Sequence, residues 1–407
     1  MASFPPAGGH RMGEAVNVYV LGAGVSKAAG YPLGSELLGE VDAYIRNLPS
    51  GSHPPVEMPG GLDGWAALCE RLAQHPNPLI REAYRIKHFE FLFTILDSAS
   101  AMHIDAINKL AAKQGRRGPA RYINVRPPYL AFFETTLNDY ANHRILLLRA
   151  LGAYLHHKHH EDRLTFGQSN WPELQSFARR LRKGDVVITF NYDSTLERVL
   201  FKTGMWAPDD GYGFKVQLQR SRSDPTPVSY GHSAVTVLHL HGAIGWRNKW
   251  CVDQFHIDEA EGRSPTLTPE IIENPISLEE AFLDDLGVRG LDPDALRGPY
   301  EFEAILHPSY LKAFGPPVIR HAFLRLWQKA AQKLREAGEV FIVGYSLPEA
   351  DSAALALLRT NCDSQRVRII NGSKADAKRL RRLLTADWLN DEALSLNEWV
   401  SKQADLT

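Results

Sequence analysis

The chain has 407 residues, with 46 Lys+Arg against 47 Asp+Glu and a formal net charge of −1 at pH 7; bulk charge therefore gives it no pull on polyanions, and direct nucleic-acid binding would need a local basic patch. At 44% hydrophobic and 23% charged residues the composition is that of a folded chain rather than a disordered one, with room for roughly two to three units of ~150 residues. Its three cysteines, Cys69, Cys251 and Cys362, are too few and too scattered for a disulfide scaffold or a four-cysteine zinc module.

In chain order, Met1 to Glu14 is Gly/Pro-rich and lacks an apolar signal-peptide core, so a loose tail and a cytoplasmic setting are expected. No run approaches the ~18 apolar residues of a membrane span, and no membrane partner is expected. Val16 to Leu21 is a β-branched, apolar run of strand length; the turn Gly22-Ala23-Gly24-Val25-Ser26 stops it and a helical pattern follows, the entry of a βαβ unit. From about Leu37 to Arg182 the pattern is helical, with breaks at Ser50–Gly64 and Lys113–Arg121 and apolar residues at helical spacing in Phe89–Leu96 and Tyr129–Leu155. The Tyr129–Leu155 run ends in a histidine tract, His156 to His160. Cationic side chains suit a helix C-terminus, so the tract reads as a solvated helix end rather than a metal site.

Four further strands are predicted at Asp185–Phe190, Val235–Leu240, Glu339–Val343 and Val367–Ile370, mostly continuous apolar runs as in parallel sheets buried on both faces. Asp253 to Pro299 is acidic and rich in turn residues, a lid or a surface loop. Pro348 and Asp351 open a helix after the fourth strand, and Arg379 to Arg382 lie on an amphipathic helix after the fifth. The predicted fold is therefore α/β: a Rossmann-like parallel sheet with flanking helices and a large helical insertion. Its core comprises residues 14–36, 183–252 and 300–375, its insertion 37–182, its acidic loop or lid 253–299 and its C-terminal helices 376–407.

Each predicted strand ends in residues suited to a site, because open α/β sheets bind ligands beyond their strands' carboxyl ends. Gly22-x-Gly24 lets backbone approach a phosphate, yet fits a bland tight turn equally. Asn191 and Asp193 can close a turn and cap a helix. His239 and His241, two apart, are expected on one face, with His241 facing the cleft; no third ligand lies nearby to make them a zinc site. Gly344 and Ser346 repeat the glycine-and-hydroxyl pattern, and Asn371 follows the last strand. Tyr192 and Tyr345 are expected to pack.

In this order the turns resemble the sirtuin-like (silent information regulator) family. Its Gly-Ala-Gly-x-Ser turn and Gly-x-Pro are matched by Gly22 to Ser26 and Gly30-Tyr31-Pro32. Its Asn-x-Asp, His-Gly, Gly-x-Ser and final Asn are matched by Asn191/Asp193, His241-Gly242, Gly344/Ser346 and Asn371. The departures are equally specific: the zinc module of the deacylases has no counterpart, Leu33-Gly34-Ser35 stands where deacylases have Asp-Phe-Arg, and Phe190 replaces the Gln before their Asn. What remains is similar to a bacterial branch of antiphage effectors that hydrolyse NAD⁺. A further segment of that branch is resembled by Pro308-Ser309 and Lys312.

The resemblance implies an NAD⁺ glycohydrolase with NAD⁺ as substrate and no zinc. Asn191 and His241 would be catalytic, His241 as general base. Gly22, Ala23, Gly24 and Ser26 would hold the diphosphate, Gly344, Ser346 and Asn371 the phosphate and adenosine side, and Asp193 the nicotinamide carboxamide. It further implies a homo-oligomer and a defence partner such as an ATPase or Argonaute-like protein. A deacylase or ADP-ribosyltransferase, and a non-catalytic NAD/ADP-ribose sensor, are the alternatives.

Overall fold

Strand β1 (Val18–Leu21) is fully buried, and its apolar side chains on both faces place it in the middle of a sheet. In the structure, a computed structural model that describes residues 16–48, 61–96, 171–216, 218–219, 227–248, 276–278, 303–306, 317–348, 351–384 and 394–404 with scattered residues of 143–161, β1 pairs in parallel on both sides. Val18 registers with Val186 of β2 (Val186–Thr189) and with Val340 of β9 (Val340–Val343). Strands β5 (Thr236–His239) and β10 (Val367–Ile370) complete the sheet, in the order β10-β9-β1-β2-β5. All five lie within their predicted spans, and the fold is the expected α/β Rossmann-like one.

The order matters for function. From β1 the chain builds outward to β2 and β5, then returns to the other side of β1 to lay down β9 and β10. The sheet therefore has a topological switch point between β1 and β9, where the connections diverge and leave a crevice at the carboxyl ends.

Helices cover the sheet. Tyr19 of β1 stacks on Phe341 of β9 at 5.0 Å and meets Phe177 of α5 (Pro172–Ala178) edge-on at 5.4 Å. Trp399 of α10 (Leu396–Ala404) packs against both Phe177 and Phe341, while Trp388 lies outside the described residues. The long helix α7 (Pro317–Glu336) is tied to the end of β5 by Trp327, whose indole donates to the Leu240 carbonyl at 3.0 Å.

Within the insertion, α2 (Leu37–Arg46), α3 (Gly61–Ala73) and Lys87, just past α4 (Pro78–Arg85), share one hub. Asp42 accepts from Trp65 at 3.1 Å, from Arg46 at 2.8 Å and from Lys87 at 3.2 Å. Those donors hold its carboxyl below the usual range although burial opposes them. Residues 89–96 are helical as predicted, and the basic loop at Lys113–Arg121 lies outside the described residues. Insertion and sheet share one apolar core, from Val20 to Leu92 and Leu151.

Two features depart from the sequence reading. A small antiparallel sheet of β6 (Gly242–Asn248), β7 (Ile276–Leu278) and β8 (Glu303–Ile305) follows β5 directly. Its edge strand β7 lies within the stretch expected to be a lid or loop, since a three-residue strand has too few positions for a period to show. The histidine tract is not wholly solvated: His159 is buried against Arg198, which approaches both ring nitrogens, while His157 and Lys158 meet Glu161 near the surface. Among the described residues no helix is long and apolar enough to cross a membrane.

Candidate functional site

At the switch point two glycine turns lie backbone against backbone. Gly24 N–H donates to the Gly344 carbonyl at 2.9 Å, and Gly22 N–H to the Val343 carbonyl at 3.2 Å. A Cβ on Gly22 would stand 2.5 Å from Tyr345 Cα, and one on Gly24 2.7 Å from Gly344 O; Gly344 itself adopts φ +58°, where side chains are disfavoured. The glycines thus serve close packing of the β1 and β9 turns. Two amides that a phosphate was expected to meet are committed to protein carbonyls, and Gly22 does not line the cavity.

That cavity, about 790 Å³, opens over the carboxyl ends of the sheet. Ala23, Gly24 and Ser26 line it from β1, Asn191 and Asp193 from β2, His241 from β5, Gly344 and Ser346 from β9, and Asn371 from β10. Asn191 and His241, 50 positions apart in the numbering of the chain, therefore face one space. The insertion contributes Lys87, His88 and Glu90 to the same walls, and α9 (Lys374–Leu384) contributes Asp376 and Arg379.

Asn191 is locked in place. Its Nδ2 donates to the Gly22 carbonyl at 3.0 Å and to Ser26 Oγ at 2.9 Å, which spends both amide protons and leaves the carboxamide oxygen as its acceptor. Its own carbonyl accepts from His239 Nδ1 at 3.0 Å, and His239 Nε2 makes a short bond to Glu197 of α6 (Thr195–Lys202). Oxygens face both ring nitrogens of His239, an arrangement that favours its protonated form.

The two histidines are not on one face, contrary to expectation. β5 ends at His239 and the chain turns through Leu240 and His241, so strand alternation no longer applies. His239 points beneath the site toward α6, and His241 into the cavity.

Burial pulls the His239 pKa down, but Glu197, the Asn191 carbonyl and Asp193 outweigh it, so the net shift is upward. A raised folded pKa stabilises the fold fully below the unfolded value of about 6.5 and loses that contribution as pH rises through the folded value. Unfolding free energy from denaturant titrations is expected to fall as pH climbs past that point, and Glu197→Gln should flatten the decline. An equal pH dependence in wild type and Glu197→Gln would refute the assignment.

His241 is 4% exposed. Phe190 meets its ring edge-on at 5.1 Å, and its carbonyl accepts from Leu306 N–H at 2.7 Å. Its Nε2 lies 3.3 Å from Oδ1 of Asp351, whose Oδ2 accepts from the Tyr345 hydroxyl at 2.8 Å. Tyr192 donates its hydroxyl to the Leu306 carbonyl at 2.8 Å. Tyr345 is buried and Tyr192 partly buried, both packed as expected, and burial pushes each phenol well above its ordinary pKa, but both also line the cavity.

The remaining candidates have structural duties as well. Asp193 Oδ1 accepts from Thr195 N–H at 3.1 Å and its hydroxyl at 2.5 Å, an Asx turn into α6. Asn371 donates to the Tyr345 carbonyl at 3.3 Å and accepts from Ser373 N–H at 2.9 Å. Ser346 offers its carbonyl to Arg379. Pro308, Ser309 and Lys312 lie outside the described residues.

Sequence reasoning missed Asp351, Glu90 and Arg379 as site residues. Asp351 had a visible signal, an acid five positions after Ser346, but read as a helix cap. Glu90 and Arg379 carried no local signal, since they reach the site from elements packed over it.

No protein-family model matches the chain, and no curated protein is significantly similar to it.

Proposed function

We propose that the protein is a sirtuin-like NAD⁺ glycohydrolase, splitting NAD⁺ and water into nicotinamide and ADP-ribose. One observation carries this reading: the Asn191 carboxamide and the His241 imidazole line one cavity beside the paired glycine turns of a switch point. Its volume lies within the roughly 300–1,000 Å³ of small-molecule and cofactor sites.

The chemistry asks little of the protein beyond positioning and one base. The nicotinamide–ribose C–N bond breaks with its electron pair going to the pyridinium nitrogen, so nicotinamide leaves neutral. Positive charge builds on the ribose, water adds to the vacated carbon, and its proton passes to His241. The Asn191 oxygen would accept from that water or from a ribose hydroxyl. Ser26 and Ala23 would meet the diphosphate, Ser346 and Asn371 the adenosine side, and Asp193 the carboxamide. Arg379 adds a cation near Ser346, suited to an anionic ligand.

Incubation with NAD⁺ alone tests the reaction class. Free nicotinamide and ADP-ribose in equal amounts are expected without any acceptor. Products only on addition of an acylated peptide or a protein acceptor would instead favour the deacylase or transferase reading. Because an NAD⁺-depleting enzyme must be held in check until needed, the same comparison belongs in cells, with NAD⁺ tracked in wild type and His241→Ala under phage challenge. Phage-dependent loss of NAD⁺ confined to wild type is expected. Saturable NAD⁺ binding with no turnover in either setting would favour the sensor. Antiphage defence, homo-oligomerisation and an ATPase or Argonaute-like partner belong to this proposal through the motif resemblance.

A further inference from the structure

We infer that Asp351 is the positioning residue of His241: its carboxylate, braced by the Tyr345 hydroxyl, orients the imidazole and stabilises the imidazolium formed when the ring takes a proton. The inference rests on His241 as the base of the proposed reaction, but its geometry stands independently of the substrate.

Asp351 occupies the N-cap position of α8 (Ser352–Asn361), where an aspartate ordinarily accepts from the first free amides of the helix. Here the side chain makes no cap hydrogen bond. The carboxylate turns into the site and is buried, as is the imidazole it faces, each side chain being 6% exposed. Burying a carboxylate away from helix amides is costly unless other groups receive it; among the described residues the Tyr345 hydroxyl donates to it and His241 Nε2 stands within ion-pair distance at 3.3 Å.

Tyr345 is a rigid brace. Its ring stacks on Phe190 at 4.6 Å and 12°, and Phe190 in turn meets His241 edge-on. Aromatic contact, carboxylate and the backbone bond to Leu306 thus hold the imidazole from separate directions. The carboxylate-to-histidine arrangement is a general means of fixing ring orientation and favouring the protonated form. Among the described residues, Tyr192 and Tyr345 are further titratable groups near His241, with Glu90 acting on both. The phenols stay neutral at working pH, so Asp351 supplies the adjacent ion-pair charge.

The test is an NMR titration of the protein with isotope-labelled histidine, in wild type and Asp351→Asn, with His241→Ala to assign the resonance. Asparagine has nearly the shape of aspartate and its oxygen can still accept from Tyr345, so the fold should persist by circular dichroism; Asp351→Ser replaces it if it does not. The His241 pKa is expected to fall by about one unit or more on loss of the carboxylate. An unchanged titration in a folded variant would overturn the inference, whatever the protein does to NAD⁺. The same samples are assayed for nicotinamide release. A shifted pKa with a kcat lowered about ten-fold or more supports both Asp351 and the glycohydrolase reading. A shifted pKa in a protein whose wild type releases no nicotinamide, either purified or in phage-challenged cells, supports the Asp351 assignment and removes the glycohydrolase reading.

Discussion

His241→Ala is expected to lose at least about 10²-fold of NAD⁺ cleavage while remaining folded, since a positioned general base contributes about 10²–10⁴ in rate. The imidazole faces the cavity, so its removal lets water reach the Asp351 carboxylate rather than leaving it stranded in apolar surroundings. Asn191→Ala should cost a similar factor by a different route. It removes the acceptor proposed to meet the attacking water, and it frees the Gly22 carbonyl and Ser26 hydroxyl from the bonds that hold the turn. The lost hydrogen bonds cost about 1–3 kcal/mol of stability. Rates of nicotinamide release, set beside circular dichroism and melting curves, separate the two effects. Near wild-type turnover in either folded variant would remove that residue from the mechanism, and collapse of the fold would make it structural.

The second large effect falls on stability. Gly22→Ala drives a methyl to 2.5 Å from Tyr345 Cα, and no side-chain rotation relieves a clash with backbone. The β1 and β9 turns would have to separate, breaking the Gly24-to-Gly344 hydrogen bond at the centre of the site. A cost of about 3 kcal/mol or more is expected, seen as a melting temperature lowered by roughly 4 °C or more. Gly39→Ala is the internal comparison: it lies in α2 with nothing within 4 Å of the added carbon, and alanine there should stabilise by about 0.5–1 kcal/mol. Equal melting of Gly22→Ala and wild type would show that the turns do not need their close approach.

The five parallel strands were legible because each is a short apolar run ending in Gly, Asn or His, and a strand buried on both faces carries that pattern wherever its partners lie. Convergence of Asn191 and His241 followed from the same reasoning, since parallel strands present all their carboxyl ends at one edge. The β6–β8 sheet was not legible, because its pairing joins positions as distant as Gly242 and Ile305 and two of its strands have only three residues.

Side-chain roles divided along a similar line. Asp193 behaves as its local context suggested, as a turn former whose partner is two residues away. Asp351 does not: a local rule assigns it to its own helix, yet donors brought from β5 and β9 draw it away. His239 and His241 share a dipeptide spacing but serve different spaces, because the strand stops between them.

Residue order alone specified the strands, their glycine tips and the edge at which chemistry would gather, since these depend on patterns within a few residues. Packing across the chain decided which amides remained for a ligand, which histidine faced the cavity and which carboxylate stood behind it. Those outcomes turn on contacts within about 3 Å between groups more than a hundred positions apart, such as Gly24 and Gly344 at 2.9 Å, and only the folded chain brings such groups together.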